Sequence, residues 1–293
     1  MPHIPRKRDK TMISIDPNLC SRCGKCQTVC PAFIPTVQHG ATPRVFNEKS
    51  CIGCGHCVDV CPTGAFVNDR FPTTSVHKVA REKLPSPESL LELIRSRRSN
   101  RTITSTPIPE SSLKLILEAA CYAPTAENSR KVHLHLITSH DDLHEVEKAT
   151  LGFFTRLAKV MLWPPMKMVC KPFLRKLYDE VPTLMLMKKQ FSQGEHPSIC
   201  NATALLVISA PKGYDFGFQD CNLAYQNASL MAETLGVSQI YLGFVQTAMF
   251  MMGSRKAGRI LGIPKGHKPF AIMALGMPAF RYGKYVERPR QEQ

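Results

Sequence analysis

The chain has 293 residues, 43% hydrophobic and 21% charged, which supports one large domain or a medium domain with a small one and excludes a disordered chain. Its formal net charge of +15 draws anionic partners, but the basic residues are dispersed and no nucleic-acid motif appears, so nucleic acid is not expected among them. The opening MPHIPRKRDK reads as a basic tail (1–11), and none of the apolar stretches, VMLWPPM among them, is long enough to span a bilayer, so a cytoplasmic setting with reduced thiols is expected.

Two cysteine runs follow the tail. CSRCGKCQTVCP carries Cys20, Cys23, Cys26 and Cys30; CIGCGHCVDVCP carries Cys51, Cys54, Cys57 and Cys61. Both read C-x2-C-x2-C-x3-C-P, an internal repeat. Three closely spaced cysteines can wrap one iron–sulfur cube, while the fourth begins the next element and reaches the other cube. The spacing therefore assigns one 4Fe–4S cluster to Cys20, Cys23, Cys26 and Cys61, and a second to Cys51, Cys54, Cys57 and Cys30. Gly24, Gly53 and Gly55 suit the tight turns between them. Structural zinc also takes four thiolates, but the doubled pattern with trailing prolines speaks against it. Residues 12–70, with ISIDPNLC before the first run and CPTGAF after the second, resemble a bacterial two-cluster ferredoxin. The resemblance implies low-potential one-electron carriers.

RFPTTSVHKVAREKLPS has no clear period and reads as a linker, 71–86. A helix then starts with Ser86 as N-cap, Pro87 in its first turn and Leu90, Leu91 and Ile94 on its apolar face; it ends in the run RSRRSNR. Leu113, Ile116, Leu117 and Ala120 mark a second helix, which Pro124 stops. VHLHLI reads as a strand with Val132, Leu134 and Leu136 on one face and His133 and His135 on the other, a spacing that could bind metal but is expected to leave them solvated or locally bonded. ALLVISA is a buried strand, a long helix runs from about Phe218 to Leu235 and is closed by Gly236, SQIYL is a strand, MGSRKAGRIL is helical, and PFAIMALG is a final strand. The irregular alternation predicts an α+β fold without a βαβ series or a dinucleotide-binding glycine motif.

The stretch LIRSRRSNRTITSTPIPESSLKLILEAACYAPTAENSR resembles the opening of the FMN-dependent nitroreductase family: a helix, an R-R-S-x-R run, a P-V/I-P turn, a second helix and A-P-S/T-x-x-N. The likeness continues through LGVSQIYLGF, LGIPKGHKPFAIMALGMP and KYVERPR and covers 87–293, with 151–195 as a variable lid or insert. Together the two halves resemble ferredoxin–nitroreductase fusions. The resemblance implies an α+β homodimer with FMN at the subunit interface. Arg97, Arg98, Ser99 and Arg101 would then surround the FMN phosphate and ribityl chain, as guanidinium forks suit phosphate oxygens. Pro124, Thr125, Ala126 and Asn128 match the loop touching flavin from the other subunit, and Leu242 and Gly243 the backbone beside the ring. Arg288 and Arg290 lie in the tail that reaches the phosphate, with the choice between them open. Many members have N-x-Q-P-W where this chain has Asn128-Ser129-Arg130-Lys131-Val132; Arg130 puts a permanent charge near the flavin pocket or turns to solvent.

LGFFTRLAKVMLWPPMKMVCKPFLRKLY, 151–178, has six basic residues and no acidic ones. A lid over the flavin, a helical excursion packed on the body and contact with an anionic membrane are the open readings. The expected activity is an FMN-dependent oxidoreductase whose two 4Fe–4S clusters, charged by an external low-potential donor (ferredoxin, flavodoxin or reductase), feed electrons to FMN. The flavin would then reduce an electron-poor small-molecule acceptor: a nitroaromatic, a quinone or an activated alkene. The alternatives are an NAD(P)H-oxidising flavoprotein that exports electrons through its clusters, and a non-catalytic electron-transfer module.

Overall fold

Both cysteine runs fold the same way in the computed structural model, which describes residues 13–37 and 40–289. In each run the glycine after the second cysteine takes a left-handed conformation (Gly24 φ 71°, Gly55 φ 84°) and opens a single helical turn: α1, Lys25–Thr28, and α2, His56–Asp59. Only glycine adopts that backbone freely, so the repeat in sequence becomes a repeat in space. The strands β1 (Ile13–Ile15) and β4 (Phe66–Asn68) pair antiparallel, as do β2 (Pro35–Thr36) and β3 (Arg44–Val45). The small core is Ile13, Ile34 and Phe66, with Cys26, Cys30, Cys51, Cys57 and Cys61 packed around it.

The chain divides into two units. The first runs through Leu84 and takes in Glu127–Ser129; the second is Pro85–Ala126 with the remainder from Arg130. The expected linker, 71–86, holds two single 3-10 turns, at Thr73–Ser75 and Arg81–Lys83, and is mostly exposed. The expected tail, 1–11, and Arg290 lie outside the described residues.

In the second unit α3 spans Pro87–Ser96, and its N-cap Ser86 accepts from the Ser89 amide at 3.1 Å. The helix α4 is Glu110–Cys121. After β5 (His133–Ile137) the chain makes four successive helices, α5 (His140–Leu162), α6 (Pro164–Cys170), α7 (Arg175–Asp179) and α8 (Val181–Ser192). Then come β6 (Ala204–Pro211), α9 (Gly217–Thr234), β7 (Ser238–Tyr241), α10 (Gly243–Met251), α11 (Ser254–Leu261) and β8 (His267–Gly276). Strands order β5-β6-β8-β7, antiparallel throughout.

Why β6 and β8 read as unbroken apolar runs is plain from their faces. Leu205 and Val207 of β6 join Ile272 and Ala274 of β8 in one core with α5, α10 and α11; Leu206 and Ile208 join Met273 and Leu275 in the other with α4 and α9. A sheet covered on both faces loses the polar alternation of a half-exposed one. On α9 the small residues Ala224, Ala228 and Ala232 let the helix lie close. Val132, Leu134 and Leu136 pack on that same core, as their spacing predicts, and His133 meets His267 edge to face at 5.9 Å. Leu90, Leu91 and Ile94 of α3, expected to face a core, are exposed in the single chain. The helix α10 lies where no helix was expected, with Val245, Ala248 and Met249 as its buried face.

Candidate cofactor sites

The first unit contains two cavities walled by cysteine. One is lined by Cys51, Cys54, Cys57 and Cys30, with Ile13, Ile34 and Phe66. The other is lined by Cys20, Cys23, Cys26 and Cys61, with Ile15 and Ala65. Each thus collects three cysteines from one run and the fourth from the other. Among the described residues no three Cys, His, Asp or Glu side chains converge where a single metal ion would sit. Soft sulfurs standing around a cavity suit a multi-atom cluster better than a lone zinc. The Ile34 amide donates to Cys30 Sγ at 3.3 Å. Burial pushes the Cys57 thiol up to about 12, with the neighbouring Cys54 and Cys51 adding to it, and burial raises Cys26 as well. Crowded, desolvated sulfurs ionise readily only with positive charge among them, which iron supplies.

In the second unit the arginine run is held by its backbone. Gln239 of β7 is fully buried; its side-chain amide donates to the Arg98 carbonyl at 3.2 Å and its carbonyl accepts from the Tyr225 hydroxyl at 2.7 Å. Ser238 donates to the Asn100 carbonyl, and the Asn100 amide donates to the Phe280 carbonyl at 2.6 Å. The Asn100 side-chain oxygen accepts from both the Thr102 amide and hydroxyl. With Ser99 bridged to Gln239, the loop becomes an extra rung beside the sheet edge. Arg97, Arg98 and Ser99 are half-buried there, and Arg101 is exposed. Among the described residues no carboxylate pairs with Arg97, Arg98 or Arg101. Burial raises the Tyr225 hydroxyl above its usual range while the charge of the nearby Arg97 guanidinium opposes the shift. Arg101 lowers, and Glu147 raises, a Cys200 thiol that burial has already pushed up. Three guanidinium groups and a hydroxyl on a fixed loop form a donor set that fits a phosphate. Arg95 differs: it pairs with Glu92 at 3.8 Å and lies over the Tyr285 ring at 5.5 Å.

The loop with Pro124, Thr125 and Ala126 is anchored by a residue the sequence did not single out. Asp220, buried on α9, accepts from the Ala126 amide at 3.2 Å and from the Tyr214 hydroxyl at 2.6 Å. Thr125 Oγ1 accepts from the Arg130 amide at 3.0 Å. Glu127, Asn128 and Arg130 all take positive φ. Asn128 groups with the first unit, where its amide donates to the Gly53 carbonyl at 2.6 Å and the Ile52 carbonyl at 3.3 Å. Leu242 is buried, its amide bonded to the Ile272 carbonyl at 2.9 Å, and it caps α10, which Gly243 begins. Phe244, the next residue, stacks on Phe154 of α5 at 4.1 Å. Arg288 is exposed in the C-terminal stretch.

Comparison with known proteins bears on both units. Residues 12–62 match the model of the 4Fe-4S dicluster domain, and residues 94–277 match the model of the nitroreductase family. An Archaeoglobus fulgidus protein provisionally named NADH dehydrogenase/NAD(P)H nitroreductase is 26% identical over 196 residues, spanning 65% of this chain and 86% of its own. A Methanothermobacter thermautotrophicus protein of the same provisional name is 28% identical over 193 residues, spanning 65% and 78%. Among solved structures, a Bacteroides fragilis nitroreductase with bound FMN aligns with a TM-score of 0.51 at 23% identity, over 69% of this chain and 94% of that one; this likeness concerns the fold. A 4Fe-4S dicluster domain stands before an α+β body whose family model covers well over half the chain, and the protein belongs to the nitroreductase family of oxidoreductases.

Proposed function

We propose that this protein is an FMN-dependent oxidoreductase in which two 4Fe–4S clusters feed electrons to FMN for the reduction of an electron-poor small molecule: a nitroaromatic, a quinone or an activated alkene. The observation that carries the reading is the pair of four-cysteine cavities on the same chain as a fixed, carboxylate-free arginine loop. When bound, the clusters supply electrons singly and the flavin joins two of them, which a two-electron reduction needs. The chain's own part is to hold and orient. Cys20, Cys23, Cys26 and Cys61 would ligate one cluster, and Cys51, Cys54, Cys57 and Cys30 the other. Arg97, Arg98, Ser99 and Arg101 would hold the flavin phosphate, helped by Arg288. The 124–126 loop and Arg130 would border the ring, as would the Leu242–Gly243 backbone. The Phe154–Phe244 stack ties the α5–α8 excursion to the residue after Gly243, which favours a lid there.

An external low-potential donor (ferredoxin, flavodoxin or reductase) would charge the clusters. A homodimer would cover the exposed Leu90, Leu91 and Ile94 of α3. The names of the archaeal relatives favour one second reading, in which NAD(P)H reduces the flavin and the clusters export the electrons.

Anaerobic purification followed by iron, sulfide and flavin assay tests the cofactor content, with about eight irons and one FMN per chain expected. A colourless protein holding zinc would overturn it.

A further inference from the structure

No residue of the α5–α8 excursion lines a cysteine cavity or belongs to the arginine loop. The inner side of the excursion is used: Leu151 and Ala158 pack with Leu184, Phe154 and Phe191, and the Tyr178 hydroxyl donates to the Met161 carbonyl at 2.8 Å. Facing outward, from the break between α5 and α6 to the end of α7, large apolar side chains stand in water. Trp163 is 60% exposed, Met168 77%, Val169 61% and Phe173 86%. Lys167, Lys171, Arg175 and Lys176 are interleaved with them and are exposed too. No acidic residue occurs from Leu151 to Tyr178, and among the described residues none of these four cations pairs with a carboxylate. Trp163-Pro164-Pro165 ends α5, and the patch continues through the short helices α6 and α7. No described helix is long and apolar enough to cross a membrane.

We propose that this patch, Trp163 to Lys176, docks the protein on an anionic lipid surface. The chemistry selects that occupant. Exposed Trp, Phe, Met and Val gain by entering the boundary between headgroups and acyl chains, while interleaved cations stay at the headgroup level and pair with lipid phosphate. A second copy meeting the patch face to face would set four cations against four. An acidic protein would satisfy the charges but leaves the spread of single, protruding apolar side chains without matching pockets. The proposal stands apart from the cofactor reading, since no residue of the patch lines a cysteine cavity or belongs to the arginine loop.

Trp163 is the only tryptophan in the chain, so its emission reports this site alone. The test uses the full-length protein with its cofactors, mixed with vesicles of phosphatidylcholine or of phosphatidylcholine containing phosphatidylglycerol. On the anionic vesicles the emission should shift to the blue, become shielded from acrylamide and co-sediment, with binding weakened by salt. Neutral vesicles should do none of this. The double variant Lys167→Gln/Lys171→Gln should bind about thirtyfold more weakly. Phe173→Ser should lower binding while leaving the visible absorption spectrum unchanged, since the side chain is exposed. Unchanged Trp163 emission on anionic vesicles overturns the proposal, even if the protein sediments with them. So does equal binding to neutral vesicles, or a blue shift that grows with protein concentration alone, which would mean that a second copy covers the patch.

Discussion

Arg95 and Arg97 sit two positions apart at one helix end and differ in everything around them. Arg95 is spent on Glu92 and the Tyr285 ring, whereas Arg97 lies near buried Tyr225 on a loop clamped by Gln239 and Asn100. Losing a charge-assisted hydrogen bond to phosphate costs about 1.5–3 kcal/mol. Arg97→Ala or Arg101→Ala should therefore weaken FMN binding by about ten- to a hundredfold, read by fluorescence titration of the flavin-free protein. Arg95→Ala should leave it within about twofold. Equal retention in all three variants would remove the arginine loop from the site. The R-R-S-x-R run in the sequence begins at Arg97 and leaves Arg95 out. The clamp was hidden there, because Gln239 and Asn100 lie far apart along the chain and nothing local marks either as buried. Asp220 was hidden for the same reason: inside a helix it looks like one more solvated acid.

At the scale of elements, the two cysteine runs were legible because their spacing dictates the local turn, and Gly24 and Gly55 start matching turns in both. The crossing of the fourth cysteine makes a combinatorial prediction. Cys20→Ala with Cys61→Ala should abolish one cluster and keep about four irons, as either single variant does, if both line the same cavity. Cys20→Ala with Cys30→Ala should lose both clusters, and low-temperature EPR of the reduced protein distinguishes the two cases. Four helices between β5 and β6 were harder to read. Their residues serve an inner apolar face and an outer basic-apolar one, so no single helical period stands out. One tie in this region is strong. Glu147 on α5 is fully buried and accepts from the Ser198 amide and hydroxyl at 2.7 and 2.8 Å, beside His196 Nδ1 at 2.7 Å. Glu147→Leu leaves those donors without an acceptor in a dry site and should destabilise the protein by about 3 kcal/mol, measured as a lowered denaturation midpoint. A loss under about 1 kcal/mol would mean that the region rearranges to supply another acceptor.

Over the whole molecule, the formal charge of +15 is a property of the bare chain and misleads if taken alone. Cluster thiolates and a flavin phosphate would lower it, and the cations left over are spread, some on the arginine loop and others from Lys167 to Lys176. The sheet order β5-β6-β8-β7 could not be read from the sequence, since two-sided burial erases the alternation that reveals a strand's partners and faces. The order of the two units was legible, each having a local motif. The claim that joins them is that electrons reach the flavin by way of the clusters. Stopped-flow absorption under anaerobic conditions tests it most directly, with reduced ferredoxin or NAD(P)H as donor, in the wild-type chain and in a Cys20→Ala/Cys30→Ala variant that retains flavin. The account predicts that reduced ferredoxin bleaches the flavin quickly in the wild type and at least about a hundredfold more slowly in the variant, with NAD(P)H ineffective in both. Fast, stoichiometric bleaching by NADH or NADPH in the variant without clusters would contradict it.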